Sequence, residues 1–107
     1  NNHNHVSGWC CSADSPEGLW YVPGYNESVW IDSLTSLAKR YINNHMVVAF
    51  DVRNEPHDYK KLQISWGDRN RDTDIAWAQE RAGNAVLGVN KDLLIVIAAP
   101  CFSADLR

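Results

Sequence analysis

Apolar residues recur at helical spacing between residues 27 and 41 of the chain. Asn26 precedes this stretch as a plausible N-cap, and the carboxylate of Glu27 suits the positive end of the helix dipole in the first turn. We therefore predict a helix from Glu27 to Tyr41 whose buried face is formed by Trp30, Leu34, Leu37, Ala38 and Tyr41.

A second stripe with the same period lies in DIAWAQERAGNAVLGVN, residues 74–90. Gly88 lies near the end of this stripe, where a glycine commonly accompanies the C-terminus of a helix. The pattern predicts a second helix that buries one side against the core, formed by Ile75, Ala78, Ala82, Ala85, Val86 and Val89.

Two short apolar runs, MVVAFDV from Met46 and DLLIVIAA from Asp92, flank the second helix. Each run is short and continuous, so each predicts a strand that is buried on both faces. A helix between two such strands is typical of a parallel βαβ unit with a right-handed crossover. Because two strands and two helices cannot cover both faces of a sheet, we expect an α/β fold whose sheet continues beyond these residues.

The remaining segments have the composition of loops. Residues 1–26 are rich in Asn, Ser, Gly, Pro and aromatic residues, and a polar stretch runs from Arg53 to Asp72. No internal repeat or Gly/Ser linker divides residues 1–107, which predicts one continuous unit. We assign no role to Trp66 or Trp77, and we expect core or loop-packing positions for Trp20, Tyr21, Trp30 and Tyr41.

The charge of the chain argues against one class of partner. A formal net charge of −3 and a pI near 5.7 leave no basic patch for nucleic acid or for an anionic membrane. The longest apolar run, about ten residues, is well short of the roughly 20 that span a bilayer. The chain starts with Asn and its only methionine is Met46, so we expect it to be the interior of a longer protein.

The three cysteines allow several pairings. Cys10 and Cys11 are adjacent, and a bond between them is disfavoured because it would strain the intervening peptide. Either of them could pair with Cys101, one could pair with a cysteine outside this chain, or all could remain thiols. The sequon at Asn26 fits a secreted glycoprotein, although such triplets also arise by chance.

Histidines and cysteines near the start of the chain supply the atom types of a metal site. The spacing of His3, His5, Cys10 and Cys11 nevertheless matches no paired zinc pattern. The sequence also lacks the glycine-rich motifs of nucleotide binding and the motif of serine hydrolases. We therefore predict neither a metal site nor a bound cofactor.

Ionisable residues follow the first predicted strand in RNEPHD, residues 53–58. In parallel α/β folds, functional groups gather beyond the carboxyl ends of the strands, where the loops share a crevice. This placement makes Glu55 a candidate acid/base catalyst and Asn54 a candidate donor to a substrate oxygen. Pro56 favours an extended backbone at Glu55. The competing interpretation is a solvated carboxylate in a turn.

The segment VVAFDVRNEPHD resembles the fourth-strand signature of glycoside hydrolase family 5, the cellulase-like enzymes, in which an Asn-Glu-Pro tripeptide supplies the acid/base. GLWYVPGYNESVWIDSLTSLAKRYINNH and ERAGNAVLGVNKDLLIVI are also similar, block by block, to secreted endoglucanases of that family. The resemblance implies that residues 1–107 are a single partial catalytic domain. They would form a fragment of a (β/α)8 TIM barrel, from the loop after strand 3 through strand 5.

The resemblance also implies a mechanism and a set of substrate contacts. A retaining endo-β-1,4-glucanase acts through two glutamates, and Glu55 takes the role of general acid/base. Asn54 would bond the sugar 2-hydroxyl, His3 would occupy the histidine position near the end of strand 3, and Trp9 would stack on a sugar ring or simply pack. The implied protein is secreted, acts on β-glucan and is monomeric at full length.

The nucleophile glutamate of the family lies on barrel strand 7, which this chain does not reach. The chain alone is therefore expected to be inactive, because the two carboxyl groups act as a unit. The alternative is a non-catalytic carbohydrate-binding relative or a degenerate fragment. We expect Arg53 to pair with a carboxylate inside the barrel, and His57 and Asp58 to stabilise the loop. IAAPCFSADLR departs from the usual end of strand 5.

Overall fold

The computed structural model describes residues 1–8 and 12–105, which form two packed helices beside a two-stranded parallel sheet. The helices are α1 (Glu27–Arg40) and α2 (Ile75–Val89), and the strands are β1 (Ala49–Asp51) and β2 (Leu94–Val96). A 3-10 turn, Pro16–Gly18, precedes α1, and a short turn with left-handed φ at Cys101 and Phe102, Pro100–Ser103, follows β2. The elements have the predicted α/β order.

Local signals set both ends of α1. The side chain of Asn26 accepts a hydrogen bond from the backbone N–H of Val29 at 3.1 Å, which makes it the N-cap. Lys39 and Arg40 place positive charge in the last turn, where it suits the helix dipole. The predicted helix is confirmed, and it ends at Arg40 instead of Tyr41.

The buried face of α1 is narrower than the sequence predicts. Three of the predicted residues are buried, namely Trp30, Leu34 and Ala38. Leu37 is 45% exposed and Tyr41 is 39% exposed, so the core prediction is wrong for both. Tyr41 is the C-cap residue, where the chain leaves the helical path, and the Arg40 guanidinium lies over its ring at 5.8 Å from the centroid. The Tyr41 ring therefore lies at the surface.

Asp74 caps α2 and also holds the loop before it. Its fully buried carboxylate accepts hydrogen bonds from the backbone N–H groups of Trp77 (3.1 Å), Gly67 (2.9 Å) and Arg69 (2.7 Å). Burial raises the pKa of Asp74, but these backbone hydrogen bonds outweigh burial and lower it. The predicted second helix is confirmed, and its buried face is formed by Ile75, Ala78, Gln79, Ala82, Gly83 and Val86.

One hydrophobic core joins the helices to one face of the sheet. Trp30 Nε1 donates to Val52 O at 3.0 Å, which ties α1 to the end of β1. Gly83 of α2 lies against Ile95 of β2, and the two are so close that a Cβ on Gly83 would be 3.0 Å from Ile95 Cγ2. Three of the predicted aromatic residues belong to this core or to its edge: Trp20, Trp30 and Tyr21.

An ion pair joins the two helices beside this core. Glu27, in the first turn of α1, accepts hydrogen bonds from Arg81 Nη2 at 2.6 Å and from Trp20 Nε1 at 2.8 Å. Burial raises the pKa of Glu27, but the hydrogen bonds from Arg81 and Trp20 and the nearby positive charge lower it below its usual value. The Arg81 guanidinium also lies 4.3 Å from the centre of the Trp77 ring, which gives this tryptophan a packing role.

The sheet is covered on one side only. β1 and β2 are parallel, with Phe50 opposite Ile95, and each is shorter than predicted. The prediction of burial on both faces is wrong for the described chain, because Leu94 and Val96 are 69% and 46% exposed. The helices pack against the side that carries Ile95, and no second layer covers the opposite side in the part of the chain that the structure describes. We call that side, which carries Leu94 and Val96, the open face.

The structure bears on three further expectations from the sequence. No helix among the described residues is long and apolar enough to cross a membrane. In the same part of the chain, no group of His, Cys, Asp and Glu residues could hold a metal ion. Cys101 is exposed and free of a disulfide, whereas Cys10 and Cys11 lie outside the described residues.

Candidate active site

The chain just beyond β1 forms the candidate site. Asn54 and Glu55 are half-buried there, at the carboxyl end of the strand. The N–H of Asn54 donates to Asn2 O at 3.0 Å, and the N–H of Asn2 donates to Asp51 O at 2.9 Å. Successive residues of a strand direct their backbone groups to opposite edges, and those of Asp51 and Asn54 bond to the opening segment instead of to β2. The opening segment therefore lies along the edge of β1 opposite to β2. It meets Asn54 where the strand ends.

Side chains from the opening segment orient the Asn54 amide. Asn54 Oδ1 accepts a hydrogen bond from Asn1 Nδ2 at 3.2 Å, and the same Nδ2 donates to Asp51 Oδ2 at 2.6 Å. Since the amide oxygen faces Asn1, the Nδ2 group of Asn54 is the end that can donate to a ligand. This orientation suits the donor role of Asn54, which stays a prediction.

Glu55 has a left-handed backbone with φ of 42°, not the extended geometry that Pro56 favours. Such a conformation costs a residue with a Cβ roughly 1–2 kcal/mol, so surrounding contacts must hold it. The Glu55 carbonyl oxygen lies 2.7 Å from His57 Nδ1, and the N–H of His57 donates to Gly18 O at 3.1 Å. The φ of Glu55 does not follow the local preference, and the prediction of an extended Glu55 is wrong.

His57 and Asp58 stabilise the loop, as the sequence predicts. The ring of His57 stacks on Phe102 with centroids 4.1 Å apart, and its Nε2 lies 3.1 Å from Ser12 O. Asp58 Oδ1 accepts a hydrogen bond from the N–H of Ile64 at 2.8 Å. His57 thus connects the site to the first loop and to the segment after β2, while Asp58 closes its own loop.

A buried ion pair lies next to the candidate site. Arg53 is fully buried, and its Nη2 donates to the Glu17 carboxylate at 3.0 Å and to the Glu17 carbonyl oxygen. The same carboxylate lies 2.9 Å from the backbone nitrogen of His5 and 2.8 Å from its ring Nδ1. Burial raises the pKa of Glu17, but the hydrogen bonds from His5 and Arg53 lower it to about 2. Arg53 thus pairs with a carboxylate, as predicted.

The opening segment contains two histidines with different exposure. The side chain of His5 is buried, whereas His3, the predicted substrate contact, is exposed. His3 is exposed, and its ring Nδ1 lies 2.9 Å from Asn4 Oδ1. The carbonyl oxygen of His3 accepts a hydrogen bond from Arg53 Nη1 at 3.5 Å, so its main chain borders the site. The side chain of His5 is only 3% exposed. Trp9, the predicted stacking residue, lies outside the described residues.

The pairing of Glu17 with both Arg53 and His5 was not predicted from the sequence. Glu17 stands in SPEG, which has the composition of a turn, and it is 36 positions away from Arg53 in the chain. The available signal was Arg53 itself, because a guanidinium at the end of a buried strand requires an anionic partner. Sequence spacing alone did not identify that partner.

Comparison with known proteins identifies the family. The whole chain, residues 1–107, matches the family model described as Cellulase (glycosyl hydrolase family 5). The chain belongs to glycosyl hydrolase family 5. Within this family, an endoglucanase of Paenibacillus polymyxa is 48% identical over 79 residues, which are 74% of this chain and 19% of that relative. The major extracellular endoglucanase of Xanthomonas campestris pv. campestris is 39% identical over 79 residues, 74% of this chain and 16% of that relative.

A solved structure from family 5 shares the fold of the chain. The catalytic domain of the major endoglucanase from Xanthomonas campestris pv. campestris superposes with a TM-score of 0.78 and 33% identity. The match covers 92% of this chain and 25% of that domain. The chain thus spans a quarter or less of each family 5 relative named here. By family, it is a cellulase-like glycosyl hydrolase sequence with an α/β fold.

Proposed function

We propose that the chain is part of the (β/α)8 catalytic barrel of a secreted, retaining endo-β-1,4-glucanase, with Glu55 as the general acid/base. The observation that carries this proposal is the position of Asn54 and Glu55 at the carboxyl end of β1, in a chain 48% identical to an endoglucanase. Catalytic groups of such barrels lie at that end of the strands. The opening segment would then follow barrel strand 3, and β1 and β2 would correspond to barrel strands 4 and 5, a parallel pairing that their hydrogen bonds support.

On this proposal, Glu55 works with a second glutamate supplied by barrel strand 7. Glu55 gives its proton to the glycosidic oxygen while the second carboxylate bonds to the anomeric carbon and the C–O bond breaks. Glu55 then takes a proton from the water that releases the sugar. Retention of configuration requires the two carboxyl groups to lie about 5 Å apart. The chain on its own lacks the second carboxylate and is expected to be inactive.

The proposed substrate is a β-glucan chain held by residues around Glu55. The Nδ2 group of Asn54 would donate to the sugar 2-hydroxyl, a contact that strengthens in the transition state. His3 and Trp9 would supply further contacts, with the indole of Trp9 stacked on the apolar face of a sugar ring. The mechanism needs no cofactor. Secretion is supported by the name of the Xanthomonas relative, an extracellular enzyme, and we expect the complete protein to be monomeric.

The test is a chimera in which this chain replaces the matching quarter of the Xanthomonas catalytic domain. We would compare the chimera with its Glu55→Gln variant on carboxymethyl-cellulose and on 2,4-dinitrophenyl cellobioside. A general acid matters for a poor leaving group and matters little for dinitrophenolate. Glu55→Gln should therefore lower kcat/KM at least about a hundredfold on carboxymethyl-cellulose and change it little on the activated substrate.

A matched control and three outcomes complete this test. Glu80→Gln removes an exposed carboxylate on α2 and should leave both values unchanged. An equal loss on both substrates, or no loss on either, would argue against Glu55 as the acid/base. A chimera that binds cello-oligosaccharides without hydrolysing them would favour the non-catalytic binding protein. The fold of every variant is checked by circular dichroism and thermal melting.

A further inference from the structure

His57 contacts the main chain of the candidate catalytic residue without being available to a substrate. Its side chain is buried, and its Nδ1 lies 2.7 Å from the carbonyl oxygen of Glu55. A carbonyl oxygen only accepts, so this hydrogen bond forms when Nδ1 carries the ring proton. The contact therefore acts on the backbone that directs the Glu55 side chain, and not on the carboxyl group itself.

Three residues from two segments of the chain, the first loop and the segment after β2, contact His57. Its N–H donates to Gly18 O at 3.1 Å, its Nε2 lies 3.1 Å from Ser12 O, and its ring stacks on Phe102 at an interplanar angle of 17°. There is no room between His57 and Gly18, because a Cβ on Gly18 would lie 2.4 Å from His57 O and 2.6 Å from Cδ2. The imidazole is thus held from several sides in one position.

The hydrogen bond to His57 opposes a local preference at Glu55. The left-handed φ of 42° is unfavourable for a residue with a Cβ, and the following Pro56 favours an extended backbone. A hydrogen bond is comparable in strength to this penalty, so its loss can change which conformation is populated. A change of φ at Glu55 would swing its Cα–Cβ bond and displace the carboxyl group.

We propose that His57 is a positioning residue that aims the Glu55 carboxyl group by holding the Glu55 main chain in its left-handed conformation. This inference rests on the proposed function, because it gives His57 a role only if Glu55 transfers a proton. Misplacing a catalytic group by about 1 Å can cost about a hundredfold in rate. The hydrogen bond therefore affects proton transfer to the leaving group more than it affects substrate binding.

Two substitutions of His57 separate positioning from packing. In His57→Asn, the amide nitrogen can occupy the place of Nδ1 and still donate to Glu55 O, whereas in His57→Gln it can reach only the place of Nε2, near Ser12. Both variants lose the stacking on Phe102, so each controls for the packing defect of the other. The measurement is kcat/KM of the chimera on carboxymethyl-cellulose and on 2,4-dinitrophenyl cellobioside.

The expected result is a selective loss. His57→Gln should lower kcat/KM on carboxymethyl-cellulose about tenfold or more, with a change of less than about twofold on the activated substrate. His57→Asn should restore most of the lost rate. Gly18→Ala is a second variant that needs no change at His57, because its Cβ would push both the main chain and the imidazole of His57 out of place. It should give the same selective loss.

Other results would overturn the proposal. Equal losses on both substrates that follow the melting temperature in all three variants would show that His57 only supports the fold. If Glu55→Gln gives the selective loss and neither His57→Gln nor Gly18→Ala does, the positioning role fails while Glu55 remains the acid/base. If Glu55→Gln itself gives no selective loss, the proposed function fails, and the role of His57 fails with it.

Discussion

At the scale of single residues, the charge of Glu17 links the first loop to the candidate site. Its folded pKa of about 2 is below its ordinary value of 4.5. The stabilisation is therefore fully present above pH 4.5 and is lost as the pH falls towards 2. Glu17→Gln should lower the free energy of unfolding of the chain by roughly 3 kcal/mol at pH 7. Urea unfolding at several pH values measures this difference, which should vanish near pH 2.

Glu80→Gln is the matched control for Glu17→Gln. Glu80 pairs with Arg69 at 3.4 Å, and both side chains are more than half exposed. Solvent screening limits such a pair to about 1 kcal/mol or less. Equal effects of the two substitutions, or an effect of Glu17→Gln that persists at low pH, would contradict the role assigned to Glu17.

Arg53 and Glu55 show what the sequence alone does not predict about single residues. The sequence predicted that Arg53 needs a carboxylate, but Glu17 is 36 positions away and no local pattern connects the two. The backbone of Glu55 was predicted as extended because Pro56 acts on its neighbour. Its left-handed conformation departs from that preference, and the neighbouring His57 bonds to Gly18 of a different loop. A single sequence reveals neither the partner of Arg53 nor the departure of Glu55 from the preference that Pro56 sets.

At the scale of elements, the N-caps of α1 and α2 should differ in how much they contribute to the free energy of unfolding. Asn26 is exposed and caps α1 through one backbone N–H, so Asn26→Ala should cost about 1 kcal/mol in the free energy of unfolding. Asp74 is fully buried and accepts from three backbone N–H groups, so Asp74→Ala should cost about 3 kcal/mol. Urea unfolding compares the variants. A loss for Asn26→Ala as large as that for Asp74→Ala would contradict this ranking.

The helices were predicted more closely than the strands for a physical reason. The periodicity of α1 and α2 and their caps are local features, so the sequence placed both elements and most of their buried residues. Burial of a strand depends on layers that other parts of a protein supply. The runs around β1 and β2 predicted burial on both faces, yet the described chain supplies helices for one face only.

At the scale of the whole molecule, the open face connects the fold to the proposed function. The helix layer and the parallel strand pair were predictable from pattern, whereas closure into a barrel rested on resemblance alone. In the proposed barrel, helices surround the strands, so the open face would point towards the barrel interior. Leu94 and Val96 would then be buried by strands that the chain does not contain.

This placement predicts opposite effects of one double substitution in two contexts. In the isolated chain, Leu94→Lys with Val96→Lys should reduce self-association, because it places charge on an exposed apolar face. In the chimera, the same change should prevent folding, because it buries two unpaired charges. Light scattering during size-exclusion chromatography measures the first effect, and thermal melting measures the second.

Leu37→Lys is the control for this double substitution, because Leu37 is 45% exposed and belongs to α1, not to the strands that form the open face. It should change neither self-association of the isolated chain nor folding of the chimera. A chimera that tolerates lysine at both positions would show that the open face does not enter a barrel interior. That result would remove the barrel from the proposed function, whereas a monomeric isolated chain would contradict only the predicted self-association.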